Sequence, residues 1–388
     1  MIGLVITTPD PQFVHYQDHD ERIEVAWLSA NNRPAPAKVI AVGDELTADA
    51  AIKNAAHGTA MLWLGDFHNA RQILSAMDRR LVRNPKKKQA QPTSDADRFY
   101  RLRQARAHQA RVLSMILVPI EQDVTLALPR APQIREAAWF GYGRDSVLGT
   151  ARVVVSLQEL IGMLGAFGWF QNGVPVPALG AKIHPFYGTF MPTRHEYVDL
   201  VAHAPLDRVA RAFDIGTGTG VLAAVLARRG VREVIGTDIS GSAIACATAN
   251  FERLEIADIA HARKADMFPA GTADLIVCNP PWLPGSVTSS LDAAVYDPNS
   301  QMLLSFLGGL REHLNPGGQG WLILSDLAEL LGLRTRDLLL DAIDQAGLEV
   351  LDRLDTVPSH KRATDFDDAL HEARSREVTS LWILGVKP

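Results

Sequence analysis

"FDIGTGTGVLAAVLA", Phe213 to Ala227, is the stretch on which the fold turns. It opens as a short strand-like run and closes as an unbroken series of helix formers. Gly216, Gly218 and Gly220 stand between the two. Glycines there permit a tight turn and let backbone N–H groups approach a ligand near a helix N-terminus. A strand feeding straight into a helix is the opening of a βαβ unit. Outward from this stretch the same alternation repeats. EVIGTDI (Glu233 to Ile239) reads as a buried strand and GSAIACATANFERL (Gly241 to Leu254) as a helix. DLIVCN (Asp274 to Asn279) is a further strand. SFLGGLREHLNPGGQGWLILS (Ser305 to Ser325) reads as a helix, a Pro-Gly-Gly turn and a strand. Strands alternating with helices imply a doubly wound, mostly parallel sheet in the C-terminal half.

The N-terminal half has a different texture. IEVAWLSA, KVIAV and AMLWLG are strand-like, ELTADAAIKNAA is helical, and Asp66 is placed to cap a helix through FHNARQILSAMDRRL. The expected division is a small α/β domain over residues 1–83 and a basic linker and helix over 84–116. A connecting region over 117–200, with the amphipathic segment VVVSLQELIGMLGAFGWF, and a C-terminal domain over 201–388 complete it. Eleven Lys and Arg fall between Arg79 and Arg111 against Asp95 and Asp97, a local excess of nine. That run reads either as a footprint for phosphate or an acidic partner, or as a solvated helix face beside an exposed loop.

The 388 residues are 47% hydrophobic with a formal net charge of −5, which gives no global case for nucleic-acid or membrane binding. The only cysteines, Cys246 and Cys278, argue against a disulfide framework or thiolate metal site and for a reducing compartment. MIGLVITTPDPQ lacks a basic n-region and does not read as a signal peptide. The apolar stretch Val112 to Ile120 is too short to span a bilayer. A cytoplasmic location is the simplest expectation.

Two acids sharpen the glycine loop. Asp214 precedes the glycines, and Asp238 closes the next strand eighteen residues past Gly220, where a carboxylate can accept both hydrogen bonds of a ribose diol. Its bland alternative is a cap on the following helix, a job Ser240 can also do. The same architecture serves NAD. GTGTG preceded by an acid, rather than GxGxxG, favours S-adenosylmethionine. So does Asp266-Met267, where a carboxylate can meet an adenine amine and a Met can cover its face. Ile239, next to Asp238, belongs to the same expected cofactor set.

DLIVCN then runs into Pro280, Pro281 and Trp282. Two prolines cannot continue a strand. At the carboxyl end of the fourth strand position they face the ligand crevice of a doubly wound sheet. A planar amine is a poor nucleophile because its lone pair is delocalised. The Asn279 side-chain oxygen and the Pro280 carbonyl can each hold one N–H and turn the lone pair toward an electrophilic methyl. Pro280 and Pro281 stiffen that carbonyl, and Trp282 stacks on the flat group. An aromatic-rich turn that merely caps the strand is the bland alternative.

With those motifs together, the segment from about Phe186 to the C-terminus resembles the class I S-adenosylmethionine-dependent methyltransferases, nearest the subgroup with an (Asn/Asp)-Pro-Pro-aromatic tetrapeptide. That subgroup acts on release-factor glutamines, adenine nitrogens and ribosomal RNA guanine nitrogens. "FYGTFMPTRHEYVDLV" is similar to its segment ahead of the glycine loop, with Pro192, Arg194 and Glu196 in comparable places and Thr193 inserted. "GLEVLDRLDTV" and "VTSLWILGV" look like its closing antiparallel pair. The resemblance implies a Rossmann-like, doubly wound seven-stranded methyltransferase sheet. It also implies methyl transfer to a planar nitrogen of a macromolecule, RNA or protein. Trp282 stands where the release-factor enzymes usually carry Tyr, and their N-terminal domain is a helical bundle, so the acceptor stays open between RNA and protein.

The expected catalytic residues are Asn279, Pro280, Pro281 and Trp282. The expected cofactor residues are Asp214, Gly216, Gly218, Gly220, Asp238, Ile239, Asp266, Met267 and Asn279. No metal is expected, because His184, His195, His203 and His261 lack ligand spacing. DFDDALHEARSRE, after His360, Lys361 and Arg362, reads as a solvated excursion. A non-catalytic S-adenosylmethionine-binding or RNA-binding module that has kept the fold is the alternative function.

Overall fold

The structure, a computed structural model, describes residues 12–18, 21–83, 91–287, 290–358, 365–366 and 368–388. The chain divides into two compact units, residues 1–93 with 100–168 and residues 94–99 with 169–388.

The first run of elements is β1 (Gln12–Asp18), β2 (Glu21–Trp27), β3 (Lys38–Val42), α1 (Ala48–Ala56), β4 (Thr59–Trp63) and α2 (Phe67–Arg83). It continues through α3 (Asp95–Leu113), β5 (Ile116–Ile120), α4 (Arg135–Tyr142), β6 (Val153–Ser156) and α5 (Leu157–Asn172). The strands form one mixed sheet in the order β1-β2-β6-β5-β4-β3. β4, β5 and β6 are buried along their whole length. Both faces are covered, so they read as apolar runs rather than alternations. Thr47 caps α1 by accepting from Ala50 N at 3.3 Å. Asp66 caps α2 as expected, accepting from His68 N at 2.8 Å and Asn69 N at 3.3 Å.

This sheet corrects the expected division at residue 83. β5 and β6 fall in the segments read as linker and connecting region, yet they are its two central strands. Without them β1-β2 and β3-β4 would be two separate pairs. The apparent amphipathic segment from Val153 splits at Ser156 into β6 and α5. A fully buried strand and a buried helix look alike by periodicity, which hid the break. Lys86, Lys87 and Lys88 of the basic run lie outside the described residues, as do His360, Lys361 and Arg362.

After the end of α5 the second unit continues with the two-stranded pair β7 (Val174–Val176) and β8 (Ala181–Ile183), then α6 (Glu196–His203). Next come β9 (Arg211–Ile215), α7 (Val221–Arg228), β10 (Glu233–Asp238), α8 (Gly241–Arg253), β11 (Ala260–Lys264) and β12 (Ala273–Cys278). After α9 (Ser290–Ala293) follow α10 (Gln301–His313), β13 (Leu314–Ser325), α11 (Leu327–Leu330), α12 (Arg336–Gln345), β14 (Leu348–Thr356), α13 (His371–Arg374) and β15 (Thr379–Val386). The seven strands stand in the order β11-β10-β9-β12-β13-β15-β14. Neighbours from β11 to β13 are parallel, and β15 is antiparallel to both β13 and β14.

Alternate residues of each strand serve opposite faces, as the pleat requires. Ala212, Leu275, Val277, Trp321 and Ile323 pack with α6, α7 and α8 in one core. Phe213, Ile215, Ile276, Cys278 and Leu322 pack with α10 and α12 in the other. The expected doubly wound, mostly parallel sheet is therefore present. The chain runs from β9 outward to β11 and then returns to β12 on the other side. β9 and β12 thus flank the switch point where ligands of such sheets bind. Their register sets Cys278 beside Ile215, so Asn279 and Gly216 leave the sheet together.

Candidate active site

The loop after β9 is shaped by its own backbone. Gly220 has φ +81°, and a Cβ there would lie 2.6 Å from the Phe251 ring of α8. Glycine is therefore required twice over, by conformation and by space. Thr217 N donates to Thr237 O at 2.8 Å, and Gly218 N to Asp238 Oδ2 at 3.1 Å, so the loop is tied to the end of β10.

Asp214 is turned into the fold with 1% of its surface exposed. Its Oδ2 accepts from Thr217 Oγ1 at 2.7 Å and from Ala223 N at 3.1 Å, bracing both ends of the glycine loop. Burial disfavours the carboxylate and pushes its pKa up to about 6, against the pull of those two donors. A carboxyl whose pKa is raised on folding stabilises the fold fully below its unfolded value. That contribution is lost as pH rises through the folded value. Asp214→Asn cannot titrate. The stability of the native chain relative to this variant is expected to rise by on the order of 3 kcal/mol between about pH 7.5 and pH 4. Urea unfolding of both proteins at each pH reads this directly; two parallel curves would remove the buried titration.

Asp238 ends β10 with Oδ1 accepting from Ser240 N at 2.9 Å. The cap on α8 is Ser240, whose Oγ accepts from Ala243 N at 3.3 Å. The bland role thus falls to Ser240 and leaves Asp238 at the loop. Desolvation raises the Asp238 pKa above the usual carboxylate range. Ile239, the next residue, is 67% exposed. Asp266 is exposed beyond the end of β11. Met267 is half-buried; its side chain packs against the α10 core, and its carbonyl accepts from Thr237 Oγ1. Its φ of +66° marks a turn that brings this carbonyl back to the sheet.

At the end of β12, Pro280 is buried and Asn279 half-buried. The indole Nε1–H of Trp282 donates to Asn279 Oδ1 at 2.8 Å. The Arg194 guanidinium lies over the Trp282 ring, 4.6 Å from its centroid. Arg194 Nη2 donates to Glu377 Oε1 at 3.1 Å, and its Nε pairs with Glu196 Oε1. Glu196 and Glu377 are 6% and 1% exposed. Sequence reasoning missed Glu377 altogether, placing it in a solvated excursion. Arg194 and Glu196 entered only through a resemblance. A charged stretch such as HEARSRE carries no local sign of burial, because the partner that neutralises Glu377 lies 183 residues away. Cys246 and Cys278 are free and buried, packed as expected.

Residues 199–330 match the family model of the methyltransferase small domain. The release factor glutamine methyltransferase of Cereibacter sphaeroides is 31% identical over 140 residues, 32% of this chain and 50% of that protein. The tRNA1(Val) (adenine(37)-N6)-methyltransferase of Shewanella halifaxensis is 30% identical over 142 residues, 34% of this chain and 58% of that one. The ribosomal protein L11 methyltransferase of Alkaliphilus metalliredigens is 38% identical over 69 residues, 17% and 22% of the two chains. The chain spans about half the length, or less, of the first curated relatives it matches. The stretch matched by the methyltransferase small domain lies wholly in the C-terminal unit and holds the glycine loop, Asp238 and the Asn-Pro-Pro-Trp turn.

Proposed function

We propose that the protein transfers a methyl group from S-adenosylmethionine to a planar nitrogen of a macromolecule, an RNA base amine or a protein glutamine. The observation that carries this reading is the pairing of the Asn279 turn with the glycine loop at the two strand ends that flank the switch point.

The residues present suit the cofactor. A Cβ on Gly218 would meet nothing nearer than Gly216 O at 3.9 Å, so the crown of the loop is open to a ligand. Beside it stand the Asp238 carboxylate, the exposed Ile239 and the exposed Asp266, a series suited to a ribose diol, a purine face and a purine amine. In this reading Gly216, Gly218, Gly220, Asp238, Ile239 and Asp266 hold the cofactor. Asp214 shapes the loop from below, and Met267 supports its floor. When bound, the cofactor supplies a methyl group already activated by its sulfonium.

The chain's own part is orientation. Asn279 Oδ1 and the Pro280 carbonyl each hold one N–H of the acceptor, which leaves its lone pair directed at the cofactor side. The Pro281 ring restricts the ψ of the residue before it, so the Pro280 carbonyl has little freedom. A carbonyl oxygen has two lone pairs, so Asn279 Oδ1 keeps one for the acceptor after accepting from Trp282. No helix among the described residues is long and apolar enough to cross a membrane. The substrates in the relatives' names belong to translation, which favours a macromolecular acceptor and a cytoplasmic site of action.

The test uses S-adenosylmethionine labelled on its methyl group, the purified protein and an extract from cells lacking the gene. Label released by ribonuclease identifies an RNA base as acceptor, and label released only by protease identifies a protein amide. Cofactor binding with no transfer to any fraction would overturn the catalytic reading.

A further inference from the structure

We propose that Arg194, clamped by Glu196 and Glu377, is the positioning residue that sets Trp282 and, through it, the amide of Asn279. Its catalytic consequence rests on the methyl-transfer reading above; the coupling itself is a property of the free protein.

The two ends of an asparagine amide have nearly the same shape, and only hydrogen-bond partners decide which end faces which way. An indole N–H can only donate. At 2.8 Å it therefore holds the oxygen of Asn279, not its amine, toward the tetrapeptide turn. An acceptor of N–H groups is what a planar amine requires. Trp282 thus orients the amide before any substrate arrives.

Apolar side chains from the cores on both faces of the sheet pack against Trp282, and what they leave open is its outer ring face, whose plane must be held for Nε1 to reach Asn279. Arg194 is the polar group over its ring. A guanidinium on an aromatic face is held by the ring quadrupole, and its planar fork engages carboxylates at the same time. Here its Nε serves Glu196 in the first turn of α6, and its Nη2 serves Glu377 just before β15. Glu377 Oε1 also accepts from Ser325 Oγ at 2.7 Å, at the end of β13. The cation is thereby held between α6 and the turn before β15, and Glu377 is tied in its turn to the end of β13.

Two carboxylates buried on one guanidinium cost desolvation that they do not fully recover, and Glu377 Oε2 has no hydrogen-bond partner. Apolar side chains of similar volume would hold the fold together at lower cost. What they would not do is hold a planar cation against Trp282. Arg194 itself reaches neither the acceptor nor Asn279; it acts through the indole.

The decisive variant is Arg194→Lys, which keeps a charge for the two carboxylates but loses the planar fork. In the free protein, the indole 1H–15N resonance of Trp282, assigned by its absence in Trp282→Phe, is expected to shift or broaden. Cofactor affinity should stay within about twofold while turnover falls roughly tenfold to a hundredfold, with the acceptor KM little changed. In the Trp282→Phe background, Arg194→Lys should cost nothing further, since the group it acts through is gone. An unmoved indole resonance, or losses that multiply in the double variant, would overturn the coupling. Should Arg194→Lys fail to fold, Glu377→Gln takes its place, with the same resonance expected to move. If the native protein methylates nothing, the indole measurement still decides whether Arg194 sets Trp282. If it methylates and the resonance stays fixed, this inference alone is lost.

Discussion

Asn279→Ala is expected to lower turnover by roughly a thousandfold while cofactor affinity changes less than about twofold. In the proposed geometry the side-chain oxygen is one of the two acceptors that hold the amine. Removing one preorganised polar group aimed at the reacting atom typically costs two to three powers of ten, about 3 to 4 kcal/mol of barrier. The glycine loop and Asp238 do not depend on Asn279 for any hydrogen bond described above, so the cofactor should still bind. Asn279→Asp keeps an acceptor for the Trp282 indole and should retain part of the rate. Single-turnover rates and calorimetric cofactor titrations on the same preparations separate the two effects. A parallel loss of rate and affinity would end the orienting role.

The opposite pattern is expected of Asp238→Ala: cofactor affinity down about a hundredfold or more, and turnover at saturating cofactor largely retained. A charge-assisted hydrogen bond contributes about 1.5 to 3 kcal/mol, and a diol offers two of them, against about 1.4 kcal/mol for each tenfold in affinity. Asp238 also receives Gly218 N at 3.1 Å, so its loss slackens the loop from the same side. The α8 cap is untouched, because Ser240 makes it. Melting should therefore shift far less than binding. Equilibrium titration of the variant with S-adenosylmethionine reads the first effect and thermal unfolding the second. Unchanged affinity would move Asp238 out of the cofactor set.

Local sequence was enough where the responsible interactions are local. The turn after β9 carries three glycines, all at positive φ, and that local conformational need is visible without a structure. The strand-helix alternation from Arg211 onward, the break of β12 at Pro280 and the Ser240 alternative for capping α8 are likewise set within a few residues of the chain. The acid at Asp238 sits where the crossover geometry puts it, at the carboxyl end of the second strand of the run.

What tertiary structure alone decided depends on partners far apart along the chain. The six-stranded sheet joins Trp27 to Val154 and Leu62 to Leu117, and no composition shift near residue 83 announces that β5 and β6 will be its middle. Asp214 braces the loop from inside because the core closes over it, which a motif cannot express. Trp282 is tied at its edge by Asn279, three residues away, and over its face by Arg194, 88 residues away. The charge that holds Arg194 is Glu377, on a stretch whose composition is that of a surface loop. Periodicity and propensity record what each residue does to its own backbone; a buried ion pair is an agreement between distant segments, and it exists only once folding has brought them together.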